Sequence, residues 1–347
     1  MYEFFHYSKK LICIYNNRYI ILHMGIRYLN GYLNRTCSRR SIRKIHLKDL
    51  TGKTIVVDTS IYMYKFLAQG ALVENMYLLI TTLQHFKINP VFIFDGKIPV
   101  EKIDTVKQRI EDKKIAEEEY NKLQVKMKDD SLTEIEKVEI DNELKNLKRQ
   151  FIKIKTYHFT NVRKLMDELH VKYIMAEEEA DTLCAKLCVS GFAYGCMSDD
   201  TDMFVYGCPI VLRDLSLLNQ HITEYDYRNI LNDLPIDSGD FKDVLMLSQN
   251  DYNNDESRNL YHTLEWYGTY KREPDINVPF PEWLSKNTKY ISSIERYERT
   301  KHGFHLDNKL NIDVHNMTKN VMNESEMDNN NTGLKNMLKN YNFIFIE

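Results

Sequence analysis

The stretch Ala176–Gly207, AEEEADTLCAKLCVSGFAYGCMSDDTDMFVYG, constrains this chain most. It carries two acidic clusters, Glu177/Glu178/Glu179/Asp181 and Asp199/Asp200/Asp202. Between them Leu183, Cys184, Leu187 and Cys188 recur at helical spacing, and Gly191 marks the end of that helix. Ala193 to Met197 then reads as a short buried strand. One carboxylate group therefore falls where a helix begins, the other where the next strand ends. In an open α/β sheet both places lie on one edge, outside the carboxyl ends of the strands. Carboxylates converging there repel one another unless a cation sits among them, and all-oxygen ligation suits Mg²⁺ or Mn²⁺. The bland alternative is that each cluster caps a helix and faces water.

Two upstream aspartates weigh against that alternative. Thr54 to Val57 reads as a strand ending at Asp58, followed by a helix capped by Thr59 or Ser60 and carrying Tyr64, Phe66 and Leu67. A helix over Met76 to Phe86 leads to Pro90 and a strand Val91 to Phe94, which ends at Asp95-Gly96. Further strands are expected at Lys172 to Met175 and Pro209 to Leu212. Helices are expected over 159–170, Asp240 to Leu247 and Glu256 to Tyr270. Strands alternating with helices predict βαβ units and a mostly parallel sheet. Thr51-Gly52-Lys53-Thr54 lacks the earlier glycine of a phosphate loop and precedes a strand, so it is not one.

Residues 100–156 differ in composition, being dense in Lys and Glu without Gly or Pro. Ile140, Leu144, Leu147, Phe151 and Ile154 form a heptad-like seam, and Ser131-Leu132-Thr133-Glu134 fits a capping box. The reading is a helical hairpin that turns near Asp129-Asp130 and projects as a lid or arch over the acids. A coiled-coil spacer or dimer contact is the structural alternative. Lys102 and Arg109, seven residues apart, share a helix face just after Asp95.

Seven acids are candidates for a metal site: Asp58, Asp95, Glu179, Asp181, Asp200, Asp202 and Asp251. Two divalent ions about 4 Å apart need about that many oxygen donors to activate water and stabilise the leaving oxygen of a phosphodiester. Charge on the transferring phosphate also calls for Lys or Arg nearby.

These residues resemble the flap endonuclease (XPG-type 5′ nuclease) family. Asp58-Thr59-Ser60-Ile61-Tyr62-Met63-Tyr64-Lys65-Phe66-Leu67 is similar to its first metal motif, with Tyr64 where the family stacks an aromatic on a base. Phe94-Asp95-Gly96-Lys97 with Lys102 and Arg109 is similar to its second, with the phosphate-steering pair. Glu179-Ala180-Asp181 and Asp200-Thr201-Asp202 resemble the paired-acid motifs, and Asn250-Asp251-Tyr252 the last acidic motif. Met24-Gly25-Ile26 looks like the family's N-terminus, whose glycine sits beside the active site.

The resemblance implies a PIN-like 5′-nuclease fold with a helical arch, and two Mg²⁺ ions that Mn²⁺ can replace. Asp58, Asp95, Glu179 and Asp181 would hold one ion, and Asp200, Asp202 and Asp251 mainly the other. The implied activity is cleavage of DNA at flaps or 5′ ends in replication, recombination or repair. The expected organisation is an extension over 1–23, a nuclease domain over 24–270, and a partly disordered region over 271–347 with a polar, mobile 314–333.

The chain departs from the family at two places. Twenty-three residues precede Met24, which we take as the natural start. After Asp251 the chain reads Tyr252-Asn253-Asn254-Asp255-Glu256-Ser257, with no glycine before Gly268. That departs from the glycine-rich helix–turn–helix with which the family clamps duplex DNA and binds K⁺, and resembles the shortened large-DNA-virus branch. The Tyr341–Phe343 segment lacks the glutamine of a sliding-clamp peptide.

RNA cleavage is the rival within the enzyme class, because 5′→3′ exoribonucleases share the Asp-Gly, Lys, Arg pattern. An inactive nucleic-acid-binding scaffold is the rival outside it, and it predicts lost acids where all seven are present. Net charge of −3 confines any basic surface to local patches. The six scattered cysteines, with no CxxC pair, read as core thiols in a reducing compartment. No run suits a membrane span or signal peptide. The expected location is intracellular: the nucleus, or a cytoplasmic virus factory for a viral protein.

Overall fold

The computed structural model describes residues 25–99, 102–129, 131–253, 258–273, 277–291, 293–306, 331–341 and 343. The extension 1–23 and most of the Asn-rich stretch 314–333 lie outside the described residues. Seven described strands form one sheet: β1 Ile42–His46, β2 Thr54–Asp58, β3 Asn89–Phe94, β4 Lys172–Met175, β5 Gly195–Met197, β6 Ile210–Ser216 and β7 His221–Asp226. Their order is β1-β7-β6-β5-β2-β3-β4. The run β6-β5-β2-β3-β4 is parallel, and β7 pairs antiparallel with both β6 and β1. The central strands β2 and β3 are almost wholly buried, as strands covered on both faces must be.

Strand β2 is the switch point. It pairs with β3 on one side and β5 on the other: the chain builds β3 and β4 outward on one side, then crosses back through α7 to β5 and β6 on the other. A crevice opens outside the carboxyl ends of the strands at such a point. Asp58 ends β2, Asp95 follows β3, Glu179 follows β4 and Ser198 follows β5.

Helices cover both faces: α1 Leu29–Thr36, α2 Thr59–Ala68, α3 Leu72–His85, α4 Ile103–Lys126, α5 Glu134–Gln150, α6 Thr156–Glu168, α7 Ala180–Val189, α8 Met203–Tyr206, α9 Tyr227–Asp233, α10 Ser238–Leu247, α11 Leu260–Tyr270, α12 Phe280–Asn287, α13 Ile294–Gly303 and α14 Asn331–Lys339. One core lies between the sheet and α1, α7, α10, α12 and α13. The other lies on the opposite face, under α2, α3, α6 and α14. Cys184, Cys188, Cys196 and Cys208 are free thiols inside the first core. No described helix is long and apolar enough to cross a membrane.

Several sequence expectations are corrected. Thr59 is not a cap but the first residue of α2, with Asp58 at the N-cap making no side-chain cap bond. The carboxylate of Asp58 is thereby left for the crevice. The capping box of α5 is Thr133 with Glu136, not Ser131 with Glu134, because Ser131 instead closes a turn on Asp129. Helix α3 starts at Leu72, ahead of Met76, and α11 starts at Leu260, where Asn259 caps it. Strands β1 and β7 had no clean alternating pattern and were missed. Residues 331–333, read as part of a mobile tract, open α14.

The hairpin α4/α5 packs on itself. Ala116, Ile140 and Leu147 are buried, and the Tyr120 and Phe151 rings meet at 5.3 Å. Its seam is therefore satisfied within the chain. Beyond Gly268 the chain is folded rather than loose, with Phe280, Trp283, Leu284 and Tyr297 buried against α10 and α11. Helix α14 docks on the other face through Met337 and the fully buried Leu338. Leu338→Ala should cost about 2–5 kcal/mol, read as a lower urea midpoint at unchanged slope. An unaltered midpoint would mean α14 does not dock.

Candidate metal and phosphate site

The crevice is built by short-range chemistry at each strand end. After β3, Gly96 brings the backbone against the segment before α7, its N–H donating to Glu178 O at 2.5 Å. A Cβ on Gly96 would meet Ala176 O at 2.1 Å and Glu177 O at 2.5 Å. Asp95 accepts from the Ala180 N–H at 2.9 Å and from the Ser60 hydroxyl. It therefore both caps α7 and faces the crevice, so the bland reading of a lone strand-end Asp is half true. After β5, Ser198 donates to Asp58 Oδ2 at 3.2 Å and accepts from the Asp200 N–H at 3.2 Å. The Asp202 N–H donates to Asp200 Oδ1 at 2.9 Å.

Asp251 arrives from the turn that follows α10, on the first core. Asn250 holds its turn, donating to Leu245 O, Met246 O and Ser248 O and accepting from the Tyr252 N–H at 2.9 Å. One oxygen each from Asp200, Asp202 and Asp251 lies within 4.8 Å of the others. Both carboxylate oxygens of fully buried Asp202 lack a hydrogen-bond partner among the described residues.

Like charge and burial show in the titration. Burial, then Asp95, Asp181 and Asp200, push Asp58 well above the usual carboxylate range. Burial and Asp200 do the same to Asp202. Burial and Asp251 raise Asp200 to about 7, and burial and Asp181 raise Glu179 to about 7. Asp181 is raised by burial despite Lys102 beside it.

Lys102 and Arg109 answer that charge. Lys102 Nζ lies 2.8 Å from Glu179, 3.7 Å from Asp181 and 4.0 Å from Asp251. Burial alone would lower its pKa, but Asp181, Glu179, Tyr252 and Asp251 outweigh it and drive the value up. Arg109 donates to Asp251 Oδ1 at 2.6 Å. Thr105 ties the same helix to Asp251 O at 2.7 Å.

The predicted acids thus lie near one another: Asp200, Asp202 and Asp251 within ligand reach, Asp58 close enough to feel Asp95, Asp181 and Asp200, and Glu179, Asp181 and Asp251 around Lys102, while Asp95, Glu177 and Glu178 are exposed at the rim. Asp199 faces elsewhere. Its carboxylate takes the Asp214 N–H at 2.9 Å and Lys65 at 3.4 Å. Burial pushes it up, yet Lys65, Arg213 and that N–H hold it below the ordinary value. Tyr64 is half-buried near Asp95, with Lys113 Nζ 5.0 Å from its ring centroid.

Gly25 touches the acids directly. At φ +75°, a Cβ there would lie 2.3 Å from Asp200 Oδ1, 2.5 Å from Thr201 Oγ1 and 2.7 Å from Asp202 Oδ1. The next N–H, of Ile26, donates to Thr201 Oγ1 at 2.6 Å. Sequence reasoning missed Ser198, Thr201, Asn250 and Tyr252. The Tyr252 hydroxyl lies within hydrogen-bond reach of both Gly303 O, at 3.1 Å, and Glu179 Oε2, at 3.3 Å, with one proton to give, and its ring lies 4.6 Å from Lys102 Nζ. The Asn250-Asp251-Tyr252 triplet held that signal, but only its acid was singled out.

Two family models match the chain: the XPG N-terminal domain over residues 24–116 and the XPG I-region over 170–251, together just over half of it. The chain belongs to the XPG-type flap endonuclease family. All seven acids, Lys102, Arg109 and Gly25 fall within the two matched stretches.

Flap endonuclease 1 of Encephalitozoon cuniculi is 28% identical over 248 residues, 66% of this chain and 68% of that protein. The Coprinopsis cinerea enzyme is 27% identical over 249 residues, 66% and 51%. The Methanococcus aeolicus enzyme is 26% identical over 278 residues, 76% and 78%. This chain therefore spans about half to four-fifths of the length of these curated relatives.

Among solved structures, the catalytic core of Rad2 in complex with DNA substrate aligns at TM-score 0.56 and 22% identity, covering 91% of this chain and 94% of that one. Flap endonuclease-1 from Methanococcus jannaschii aligns at 0.53 and 21%, covering 81% and 84%. These likenesses establish the shared XPG-type nuclease fold.

The raised acids set a pH dependence. Glu179 and Asp200 keep protons up to about pH 7 when folded, against ordinary values of 4.5 and 3.8. The native state therefore binds more protons than the unfolded chain between about pH 4 and 7, and stability falls as pH rises through that window. The thermal midpoint in EDTA should drop from about pH 5.5 to about pH 8. Mg²⁺ or Mn²⁺ should restore more at the higher pH, because ligands must lose protons to bind. A flat EDTA profile, with no differential metal effect, would refute a shared pocket. Gly25→Ala should destabilise by more than about 1 kcal/mol and weaken Mn²⁺ binding in calorimetry; wild-type affinity would contradict the contact.

Proposed function

We propose that this chain is a divalent-metal-dependent phosphodiesterase that hydrolyses DNA near a free 5′ end or flap, in replication, recombination or repair. The observation that carries this reading is a buried acid cluster, with Asp200, Asp202 and Asp251 within ligand reach of one another and both oxygens of Asp202 unpartnered among the described residues, set against Lys102 and Arg109. A buried ionised carboxylate without a donor costs several kcal/mol, and a hard cation answers that cost with the oxygen donors it prefers. The donor set therefore fits Mg²⁺ or Mn²⁺. Asp58, Asp95, Glu179 and Asp181 would hold one ion, and Asp200, Asp202 and Asp251 mainly the second. Such ions polarise the scissile phosphate and lower the pKa of water at the site.

The protein's own groups do the rest. Lys102 and Arg109 sit at the base of α4, among the acids, where they can bind and orient a phosphate and offset charge that grows on it. Helices α4 and α5 rise from the same edge as a hairpin, under which a single strand can pass. Tyr64 lies beside Asp95, where a base next to the cut can stack on it. Gly25 and the Ile26–Thr201 bond hold the 198–202 loop in place. The nuclease unit would be residues 24–270, with 100–156 as the arch and with the described segments after 270 packed into its two cores.

Asp200→Ala should abolish Mg²⁺-dependent cleavage of a labelled 5′-flap DNA while circular dichroism stays native. Lys102→Ala should slow single-turnover cleavage about 10²–10³-fold. The panel should include nicked, single-stranded and RNA substrates, with EDTA as the control. Full activity in pure Asp200→Ala protein would remove the mechanism, and cleavage confined to RNA would replace DNA as the substrate.

A further inference from the structure

Between Arg27 and Lys48 the chain holds seven Lys or Arg and no Asp or Glu, in a protein of net charge −3. This is the segment that begins two residues after Gly25, at the acid pocket, and runs through α1 into β1. Arg35, Arg39, Arg40 and Lys44 on it are exposed among the described residues. Among the described residues, Arg43 is the one drawn into an ion pair, with Glu224 at 2.7 Å.

Tyrosines are interleaved with these cations. Tyr28 is 46% exposed, and its ring lies 5.9 Å from that of Tyr261 on α11. Tyr32 reaches the same Tyr261 ring at 6.4 Å. Arg27 stacks over Tyr28 at 5.0 Å, and Arg35 over Tyr261 at 5.5 Å.

The backbone adds a separate observation. Tyr28 occupies the N-cap of α1 at φ +70°, ψ −6°, without a side-chain cap bond. A bulky aromatic in the left-handed region is an uncommon and costly choice. Glycine would serve the turn without strain. Packing does not explain the residue either, since nearly half of its surface is open.

We infer that Tyr28, with Tyr32, Tyr261 and the exposed Arg35, Arg39 and Arg40, forms a second nucleic-acid surface beside the acid pocket. It takes an unpaired base on Tyr28 and the phosphates of the same strand along α1. The inference rests on the nuclease reading for its partner, and deepens it by naming where the strand runs outside the pocket. Aromatic faces flanked by guanidinium groups stack any base, and clustered cations track a phosphate backbone. Continuity supplies the rest: Ile26, two residues from Tyr28, is bonded to Thr201 between Asp200 and Asp202. Tyr28 is the first exposed aromatic along the chain beyond that bond.

The test is fluorescence anisotropy in EDTA with the full chain, using a labelled duplex bearing a single-stranded overhang and the same duplex with blunt ends. Tyr28→Ala should weaken overhang binding about tenfold and leave blunt duplex within about twofold, while Tyr28→Phe binds as wild type. The double variant R35E/R39E should weaken both probes and flatten the dependence of log K on log salt by more than about one unit. Tyr28→Gly separates function from packing. It should lose the same affinity while its thermal midpoint holds or rises, because the strain is relieved; a fall in midpoint would overturn the strain argument.

Unchanged overhang affinity in Tyr28→Ala and R35E/R39E, with wild type binding and cutting, overturns this surface alone. Equal loss on blunt duplex overturns the unpaired-base assignment. Wild type that neither binds nor cuts any DNA or RNA of the panel overturns the nuclease reading and this inference with it.

Discussion

Burial and like charge oppose each other in the crevice, and the rest of the molecule is arranged to make that conflict tolerable. A carboxylate taken out of water holds its proton more tightly, and a second carboxylate beside it adds to the effect. Asp58, Asp202, Asp200 and Glu179 all show it. Lys102 and Arg109 supply part of the balance from the start of α4, so the base of the hairpin is electrostatically tied to the acids. Asp199 shows how local the arrangement is. It adjoins Asp200 yet faces Lys65 and Arg213, where its carboxylate is held below the ordinary value instead of above it.

Close backbone approach is the second requirement. Acids on four strand ends reach one volume only where loops can touch. Gly96 lets the end of β3 meet the segment before α7, and Gly25 lets the chain's early turn lie on Asp200 and Asp202. At both places a single methyl group would displace a carbonyl or a carboxylate. The third core-facing support comes from Tyr252, which joins Glu179, Lys102 and the end of α13. Its ring packs on Phe304 at 4.7 Å. The region after residue 270 is thus part of the structure that holds the site.

Much of this was legible residue by residue. The apolar run Thr54–Val57 and the strand after Pro90 announced themselves, because β-branched and aromatic residues buried on both faces leave a continuous signal. So did α7, from Leu183 to Gly191. The hairpin followed from its Lys/Glu composition and heptad seam. Strands β1 and β7 did not, since Ile42–His46 is half-exposed and charged and carries no alternation. The cap of α2 was misread because a Thr-Ser pair after Asp58 has ordinary capping chemistry, whereas α2 follows β2 without a linker and already includes both residues.

What the order of residues determined alone was the kind of chemistry. Acids at strand ends, a Lys and an Arg seven residues apart, and a glycine after Met24 are local facts, set by helical and strand periods that act over a few positions. The tertiary structure decided which acids meet and which do not. It turned Asp199 away while turning Asp200 and Asp202 inward, brought Asp251 across from the other helices, and left Tyr28 exposed in a strained turn. Those outcomes depend on strand order, crossover and the closeness of non-sequential backbones. These are set by packing among segments more than a hundred residues apart, where no local period reaches.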